Sequence, residues 1–108
     1  MASVDEIGIG EGIQISKEIT GTDDNIAILR DENGWCWAIN DTCTHQVASL
    51  SEGYIENGQV ECPIHASTFS LRTGEVTGFP ATVPTKVHRV EVVEGDIYIY
   101  PGEKPNNV

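Results

Sequence analysis

The chain has 108 residues, the size of one small domain. Its 17 acidic and 6 basic residues give a formal net charge of -11 at pH 7. This balance disfavours nucleic acid and anionic membranes as partners and favours proteins with basic docking surfaces. The sequence has no signal-peptide pattern at its start and no apolar run of the length that spans a membrane. Its three cysteines cannot all pair in disulfides, so we expect a reducing, cytoplasmic location.

The predicted elements are almost all short β-strands. Ser3 and Glu6 have the spacing of a capping box, which predicts a single helical turn at the start of the chain. Residues with β-branched or aromatic side chains at every second position then predict strands at 12–16, 25–30, 35–40, 53–56, 59–62, 85–93 and 96–100. Asn57-Gly58 and Glu94-Gly95 predict tight hairpin turns, and residues 32–34 a third connection. The expected fold is all-β, an antiparallel sandwich or barrel.

The predicted organisation is one domain, residues 1–108, with an inserted part. Residues 41–83 contain two Cys/His pairs and a stretch rich in Gly, Pro and Thr, so they are expected to form a small subdomain. Residues 1–40 and 84–100 are expected to form the basal sheet that carries it. The polar, proline-containing residues 101–108 predict a tail with no chemical role.

Two loop segments carry the metal-binding chemistry, Cys43-Thr44-His45 and Cys62-Pro63-Ile64-His65, separated by sixteen residues. Two cysteines on one iron and two histidines on the other hold a 2Fe-2S cluster of the Rieske type. Thiolates bind ferric iron strongly, while imidazoles leave the second iron easier to reduce. We therefore predict a one-electron centre with Cys43 and Cys62 on the inner iron and His45 and His65 on the outer iron.

A structural zinc site is the alternative for the same four residues, because tetrahedral Cys2His2 is a common zinc ligand set. Zinc ribbons and fingers usually place two ligands of one type in each knuckle, whereas each loop here mixes the types. The spacing thus favours iron and sulfur without removing zinc. Catalytic Cys-His chemistry is disfavoured because it leaves the second matched pair unexplained.

The two ligand segments, with Leu50-Ser51-Glu52-Gly53 between them and Arg72-Thr73-Gly74 after them, resemble those of Rieske proteins. More narrowly, the chain is similar to the small ferredoxin components of bacterial aromatic-ring-hydroxylating dioxygenase systems, such as those for biphenyl, toluene or carbazole. The resemblance implies a Rieske-like fold, one 2Fe-2S cluster and a monomeric electron carrier that is not itself an enzyme. It also implies two partners, an NAD(P)H-dependent flavoprotein reductase and the Rieske centre of a terminal oxygenase. Overall similarity favours carbazole as the pathway's substrate. The alternative within this resemblance is a small subunit of a larger oxidoreductase such as nitrite reductase.

Departures from high-potential Rieske subunits predict a low reduction potential. Those subunits link the ligand loops by a disulfide, and the resemblance places Ala48 and Ile64 at the matching positions. Phe69 stands where they have a tyrosine whose hydroxyl lies near a cysteine ligand, whereas Ser67 matches their serine. We therefore predict a midpoint potential at the low end of the Rieske range, about -150 mV.

The resemblance also implies a docking surface around the histidine tips. A proline loop, Gly78-Phe79-Pro80-Ala81, is expected to cover the cluster. It forms an apolar collar together with Gln46, Val47, Ala48, Ile64 and Ala66. A small surface of this kind suits weak, fast-dissociating redox encounters.

The remaining candidates are predicted to be structural. His88 is an ordinary strand residue, and one spare histidine cannot complete a 2-His-1-carboxylate iron site, so the chain is not a complete oxygenase. Cys36 lies on the opposite face of its strand from Trp35 and Trp37 and is expected to be a small buried hydrophobe. Both tryptophans are expected to pack in the basal sheet. The pairs Asp23-Asp24 and Asp31-Glu32 form either a solvated face or a surface that steers partners.

Overall fold

The computed structural model describes residues 2–3, 6–42, 49–63, 67–78 and 84–103. Their strands form two antiparallel sheets, which agrees with the predicted all-β fold. The strands are β1 (Ala2–Ser3), β2 (Gly12–Ile15), β3 (Ile26–Arg30), β4 (Cys36–Asn40), β5 (Tyr54–Glu56), β6 (Gln59–Glu61), β7 (Thr68–Ser70), β8 (Val76–Gly78), β9 (Val87–Val93) and β10 (Asp96–Tyr100). The six-stranded sheet has the order β1-β10-β9-β4-β3-β2, and the four-stranded sheet the order β5-β6-β7-β8.

Strand β3 in the six-stranded sheet is buried on both of its faces. Ala27 and Leu29 point into a core shared with the four-stranded sheet, while Ile26 and Ile28 point into a second core. The second core also contains Ile97 of β10, so the six-stranded sheet curves around it. Alternation of side chains along a strand explains why β3 is a continuous apolar run.

The core between the sheets joins the two parts of the molecule. Trp37 and Ile39 of β4 contribute from one side, and Val60 and Phe69 contribute from the other. On the four-stranded sheet the register places Ile55, Val60, Phe69 and Val76 on this inner face. The opposite face carries polar residues, so the apolar-in, polar-out pattern fixes the register of the sheet.

Most predicted strands are found within one or two residues of their predicted ends, and the turns are confirmed. Asn57 and Gly58 have φ values of 52° and 74°, as a tight hairpin turn requires. Glu94 and Gly95 have φ values of 53° and 84°. Positive φ is unusual for Glu94, which shows that pairing of the long strands β9 and β10 determines this turn.

The predicted helical turn after Ser3 is only partly described, because residues 4 and 5 lie outside the described residues while Glu6 has 3-10 conformation. Ala2 and Ser3 form β1, which pairs with Ile97 and Asp96 of β10. Two short helices were not predicted, α1 (Lys17–Thr20) and a 3-10 helix (Leu50–Glu52). Ser16 caps α1 by accepting a hydrogen bond from the Glu18 N–H at 3.2 Å, so the last residue of the predicted strand 12–16 is a helix cap.

The four-stranded sheet contains two strands that were not predicted. Its strands lie between residues 54 and 78, within the predicted insertion 41–83, whose exact bounds stay a prediction. Residues 102 and 103 contact β9 rather than extending away from it. The Gly102 N–H donates to His88 Nδ1 at 2.9 Å, and Glu103 pairs with Arg89 at 3.3 Å. No helix within the described ranges is long and apolar enough to cross a membrane.

Candidate metal centre

Most of the predicted site residues lie outside the described residues: Cys43, His45, Gln46, Val47, Ala48, Ile64, His65, Ala66 and Pro80. Cys62, Ser67 and Phe69 are described and are fully buried, with at most 1% of each exposed. The structure also describes the residues that flank both ligand loops. These flanking residues determine how the loops leave and rejoin the two sheets.

Cys62 directly follows β6 and begins the second ligand loop. Its main-chain N–H donates to the Ser67 carbonyl at 2.7 Å, which closes the loop one residue beyond the paired strands β6 and β7. Its thiol is not part of a disulfide. Phe69 lies in the same core cluster and pairs with Val60. Because Phe69 is fully buried, it packs in the core beneath the loop and does not belong to a docking surface.

The first ligand loop is closed by a narrow stem. Thr42 and Ser49 form an isolated antiparallel bridge on either side of residues 43–48. The Leu50 N–H donates to the Asp41 carbonyl at 2.6 Å. Leu50 packs in the same core cluster as Cys62, so both loops start from one hydrophobic base.

Close backbone packing brings the two loops together. The 3-10 helix after the first loop ends at Gly53, and a Cβ built there would lie 2.2 Å from the Glu61 carbonyl oxygen. Only a residue without a side chain allows this approach. Glu61 immediately precedes Cys62, so Gly53 determines the spacing between the return of the first loop and the start of the second.

Asp41 is a buried carboxylate at the base of the first loop, with 2% of the residue exposed. One oxygen accepts from Gln14 Nε2 at 2.6 Å and from Ser49 Oγ at 2.5 Å. The other accepts from the Ser51 N–H at 2.9 Å. Hydrogen bonds to an ionised acceptor offset the cost of burying it. Asp41 was not predicted as a site residue, although its place at a strand end, followed by Ser49 and Ser51, was the available signal.

Asp24 supports the same stem from outside. Its carboxylate accepts from the Thr42 N–H at 2.9 Å and from the Thr42 hydroxyl at 2.8 Å. It also accepts from the N–H of Asn25 at 2.8 Å. Thr42 is the residue before Cys43, so Asp24 fixes the chain where it enters the first ligand loop.

The acidic pairs therefore have structural roles that the sequence analysis missed. Asp31 is 4% exposed and accepts hydrogen bonds from the main-chain N–H groups of Asn33 and Trp35 and from Trp37 Nε1, each at 2.9 Å. Glu32 accepts from the N–H groups of Asn57 at 3.0 Å and Gly58 at 3.3 Å, which links the two sheets. A solvated face was the wrong interpretation of Asp31, which is buried, whereas Asp23 and Glu32 are exposed.

The predicted environments of Cys36 and Trp37 are close to those found. Cys36 is half-buried and packs on the second core, while Trp37 lies in the core between the sheets. Burial raises the pKa of the Cys36 thiol; Arg30 opposes this shift and Asp31 adds to it. The thiol is therefore protonated at neutral pH, in agreement with an unreactive cysteine. Trp35 differs from the prediction because it is 57% exposed.

The residues present fit an iron-sulfur cluster. Cys62 is a buried, unpaired thiol at a loop start, which suits a thiolate ligand shielded from water. The hairpin of β6 and β7 holds the ends of the second loop, and two carboxylate side chains hold the ends of the first loop. Within the described ranges alone, no group of three His, Cys, Asp or Glu could hold a metal ion. The predicted ligands Cys43, His45 and His65 lie outside these ranges.

The region around the loops is strongly acidic. No Lys or Arg lies between Arg30 and Arg72, whereas this stretch contains Asp31, Glu32, Asp41, Glu52, Glu56 and Glu61. Glu52 and Glu56 are exposed. This distribution favours a partner with a basic surface near the ligand loops.

Comparisons with known proteins agree with the fold and the site. The Rieske [2Fe-2S] domain matches residues 2–94. The ferredoxin subunit of 3-phenylpropionate/cinnamic acid dioxygenase from Photorhabdus laumondii is 48% identical over 73 residues, 67% of this chain and 70% of that protein. Ferredoxin CarAc from Metapseudomonas resinovorans is 48% identical over 68 residues, 63% of each chain. A chain in the complex of reduced oxygenase and oxidised ferredoxin of carbazole 1,9a-dioxygenase superposes with a TM-score of 0.79 at 34% identity, covering 93% of this chain and 98% of that one.

The protein belongs to the Rieske [2Fe-2S] family and carries a Rieske-type 2Fe-2S cluster. Within this family its relatives are ferredoxin subunits, so it is an electron carrier rather than a catalytic enzyme. The predicted cofactor, fold and electron-transfer role are thus confirmed. A structural zinc module is excluded by the same match.

Proposed function

We propose that this ferredoxin takes single electrons from an NAD(P)H-dependent flavoprotein reductase and delivers them to the Rieske centre of a terminal ring-hydroxylating oxygenase. The observation that carries the proposal is the similarity to dioxygenase ferredoxin subunits, one of them seen in a complex with its oxygenase. The acidic surface around the ligand loops supports docking on basic partner surfaces. The protein acts as a monomer in the cytoplasm, where cysteine ligands remain reduced.

The proposed ligands are Cys43 and Cys62 on one iron and His45 and His65 on the other. The cluster supplies a one-electron couple, and the protein supplies its position and its surroundings. The position of Cys62 at the end of β6, with its N–H bonded to the Ser67 carbonyl, supports this proposed role. The apolar collar of Gln46, Val47, Ala48, Ile64, Ala66 and Pro80 is proposed to surround the histidine tips and to contact both partners.

The ligand assignment is tested by comparing matched variants. Cys43→Ser and Cys62→Ser, and likewise His45→Gln and His65→Gln, are expected to abolish or strongly change the electron paramagnetic resonance signal of the reduced protein. Cys36→Ser and His88→Gln are the controls, because both residues lie outside the ligand loops. Iron, sulfide and zinc analysis accompanies each spectrum. An unchanged signal in Cys62→Ser, or loss of the signal in Cys36→Ser, would reject the assignment.

The partners are tested by reconstitution. Purified reductase and oxygenase of a dioxygenase system are mixed with NADH, with and without this protein, and reduction of the oxygenase is followed by its absorbance. We expect rapid reduction only when the ferredoxin is present. If the protein instead purifies as a tight complex with a large subunit, the alternative of a small oxidoreductase subunit is supported.

A further inference from the structure

The two ligand loops are closed in different ways. The second loop, which begins at Cys62, continues from the paired strands β6 and β7, whose register includes Glu61↔Thr68 and Val60↔Phe69. The first loop leaves β4 beyond its end, and its stem contains one isolated bridge, Thr42↔Ser49. A hairpin holds the second loop through its backbone, whereas a single bridge gives the first loop little intrinsic stability.

Two carboxylate side chains, those of Asp41 and Asp24, provide hydrogen bonds to the stem of the first loop in addition to its single backbone bridge. Asp41 binds three donors from β2 and from the returning chain, namely Gln14, Ser49 and Ser51. Asp24 binds the N–H and the hydroxyl of Thr42 from the other side. Thr42, Ser49 and Ser51 of the stem therefore each donate to a carboxylate side chain, and the Leu50 N–H donates to the main-chain carbonyl of Asp41.

We propose that Asp24 and Asp41 are positioning residues that keep the stem of the first ligand loop closed and so determine how long the cluster is retained. The inference rests on the proposed ligand assignment, because residues 43–48 include two of the four ligands. Neither carboxylate is a ligand. Each acts through Thr42, Ser49 or Ser51, whose main chain leads directly into the loop.

Asp24 gives the cleaner test because its bonds to Thr42 are exposed, so its removal leaves the core unchanged. Asp23 is a matched control, since it is the adjacent residue, is exposed and carries the same charge. Asp24→Ala is expected to speed cluster loss about tenfold, because both exposed hydrogen bonds to Thr42 are lost. Asp23→Ala is expected to release the cluster at the wild-type rate.

Thr42 provides an independent variant on the other side of the same contact. Thr42→Val removes the hydroxyl donor and is expected to speed cluster loss, whereas Thr42→Ser keeps the donor and restores slow release. Cluster loss is followed as decay of the visible absorbance of the purified holoprotein in the presence of an iron chelator. Asp41→Asn is the second carboxylate variant and is expected to release the cluster faster still, because Asp41 is buried.

Amide hydrogen exchange separates local positioning from general stability. In Asp24→Ala the Thr42 and Leu50 amides are expected to exchange faster, while the Ile28 amide in the core keeps its wild-type rate. Equal cluster release in Asp24→Ala and Asp23→Ala would overturn the inference. So would an equal acceleration at Ile28, because the carboxylate would then stabilise the whole domain. If every carboxylate variant has normal iron and sulfide contents and releases its cluster at the wild-type rate, the positioning role is rejected and the ligand assignment stands. A cluster that is retained in Cys62→Ser would reject both the ligand assignment and this inference.

Discussion

His88 Nδ1 accepts a hydrogen bond from the Gly102 N–H at 2.9 Å, so this ring nitrogen carries no proton. The other ring nitrogen, Nε2, lies 2.7 Å from Asn40 Oδ1 and donates to it. The side chain is 5% exposed and neutral, with both nitrogens paired. Burial lowers the pKa of His88 below its usual value, and the nearby Lys86 lowers it further. Protonation of Nδ1 would place two N–H groups against each other.

This arrangement predicts that acid destabilises the protein through His88. In the unfolded chain the imidazole takes up a proton near pH 6.5, whereas in the folded protein it does so only at lower pH. The unfolded state therefore binds more protons as the pH falls below about 6.5, and the free energy of unfolding decreases there. Above that pH the stability that His88 contributes to the folded protein is fully present.

The measurement is urea unfolding of the wild type and of His88→Gln at several values between about pH 7.5 and about pH 5, a range that spans the usual histidine pKa. The wild type is expected to lose stability more steeply than the variant as the pH falls. All other titrating groups are common to both proteins and cancel in the comparison. Parallel curves would show that His88 is not responsible.

Asp31 offers a test of a buried, fully paired carboxylate. In Asp31→Asn one acceptor oxygen becomes an amide group that faces an N–H donor, so at least one of the three hydrogen bonds is lost. The free energy of unfolding should decrease by about 2–3 kcal/mol. Asp23→Asn, at an exposed position, should change it by less than about 0.5 kcal/mol. Equal effects of the two substitutions would refute the structural role of Asp31.

Gly53 tests the close approach that brings the ligand loops together. Its φ of -77° is ordinary for any residue, so the cost of Gly53→Ala comes from the Cβ placed 2.2 Å from the Glu61 carbonyl. We expect a loss of about 1–3 kcal/mol in stability and faster cluster release. Gly8→Ala is the control, because its nearest contact, at 2.9 Å, is the flexible side chain of Glu11. A stable Gly53→Ala protein with normal cluster retention would contradict the packing argument.

The strands were predictable from the sequence where alternation continued over several residues. β9 and β10 have such patterns, and their turn at Glu94-Gly95 confirms the register. β7 and β8 have three residues each, too few to show a period, and Gly78 ends a stretch of turn-forming residues. The pairing of β1 with β10 joins residues more than 90 positions apart, so no local pattern at Ala2 or Ser3 encodes it.

The ligand motif of the candidate site was predictable from the sequence, but the contacts that hold the ligand loops in place were not. Cysteine and histidine spacing is a local property of the chain, so the sequence contains it directly. The bond from Asp24 to Thr42 spans 18 residues and that from Gln14 to Asp41 spans 27, and no local pattern encodes either contact. Trp35 was expected to be packed because it is large and apolar, yet it precedes β4 and remains exposed.

The reduction potential gives a prediction that depends on Phe69. We expect a wild-type midpoint at the low end of the Rieske range, about -150 mV. Phe69 belongs to the same core cluster as the proposed ligand Cys62. Phe69→Tyr is expected to raise the midpoint if its hydroxyl donates to the thiolate, because such a hydrogen bond stabilises the reduced cluster. Potentiometric titration of both proteins gives the values, and Tyr54→Phe, at a residue that is 70% exposed, is the control. A clearly positive wild-type midpoint, or no shift in Phe69→Tyr, would contradict this account.

Electron transfer to a basic partner should slow as salt is added. The chain lacks Lys and Arg between residues 30 and 72, and Glu56 is exposed on the sheet that supports the second ligand loop. Between about 0.01 M and about 1 M salt the Debye length falls from about 30 Å to about 3 Å, which removes long-range attraction. Glu56→Gln should lower the low-salt rate of oxygenase reduction, whereas Glu18→Gln on α1 should leave it unchanged. Stopped-flow rates that do not depend on salt would show that the acidic surface plays no part in docking.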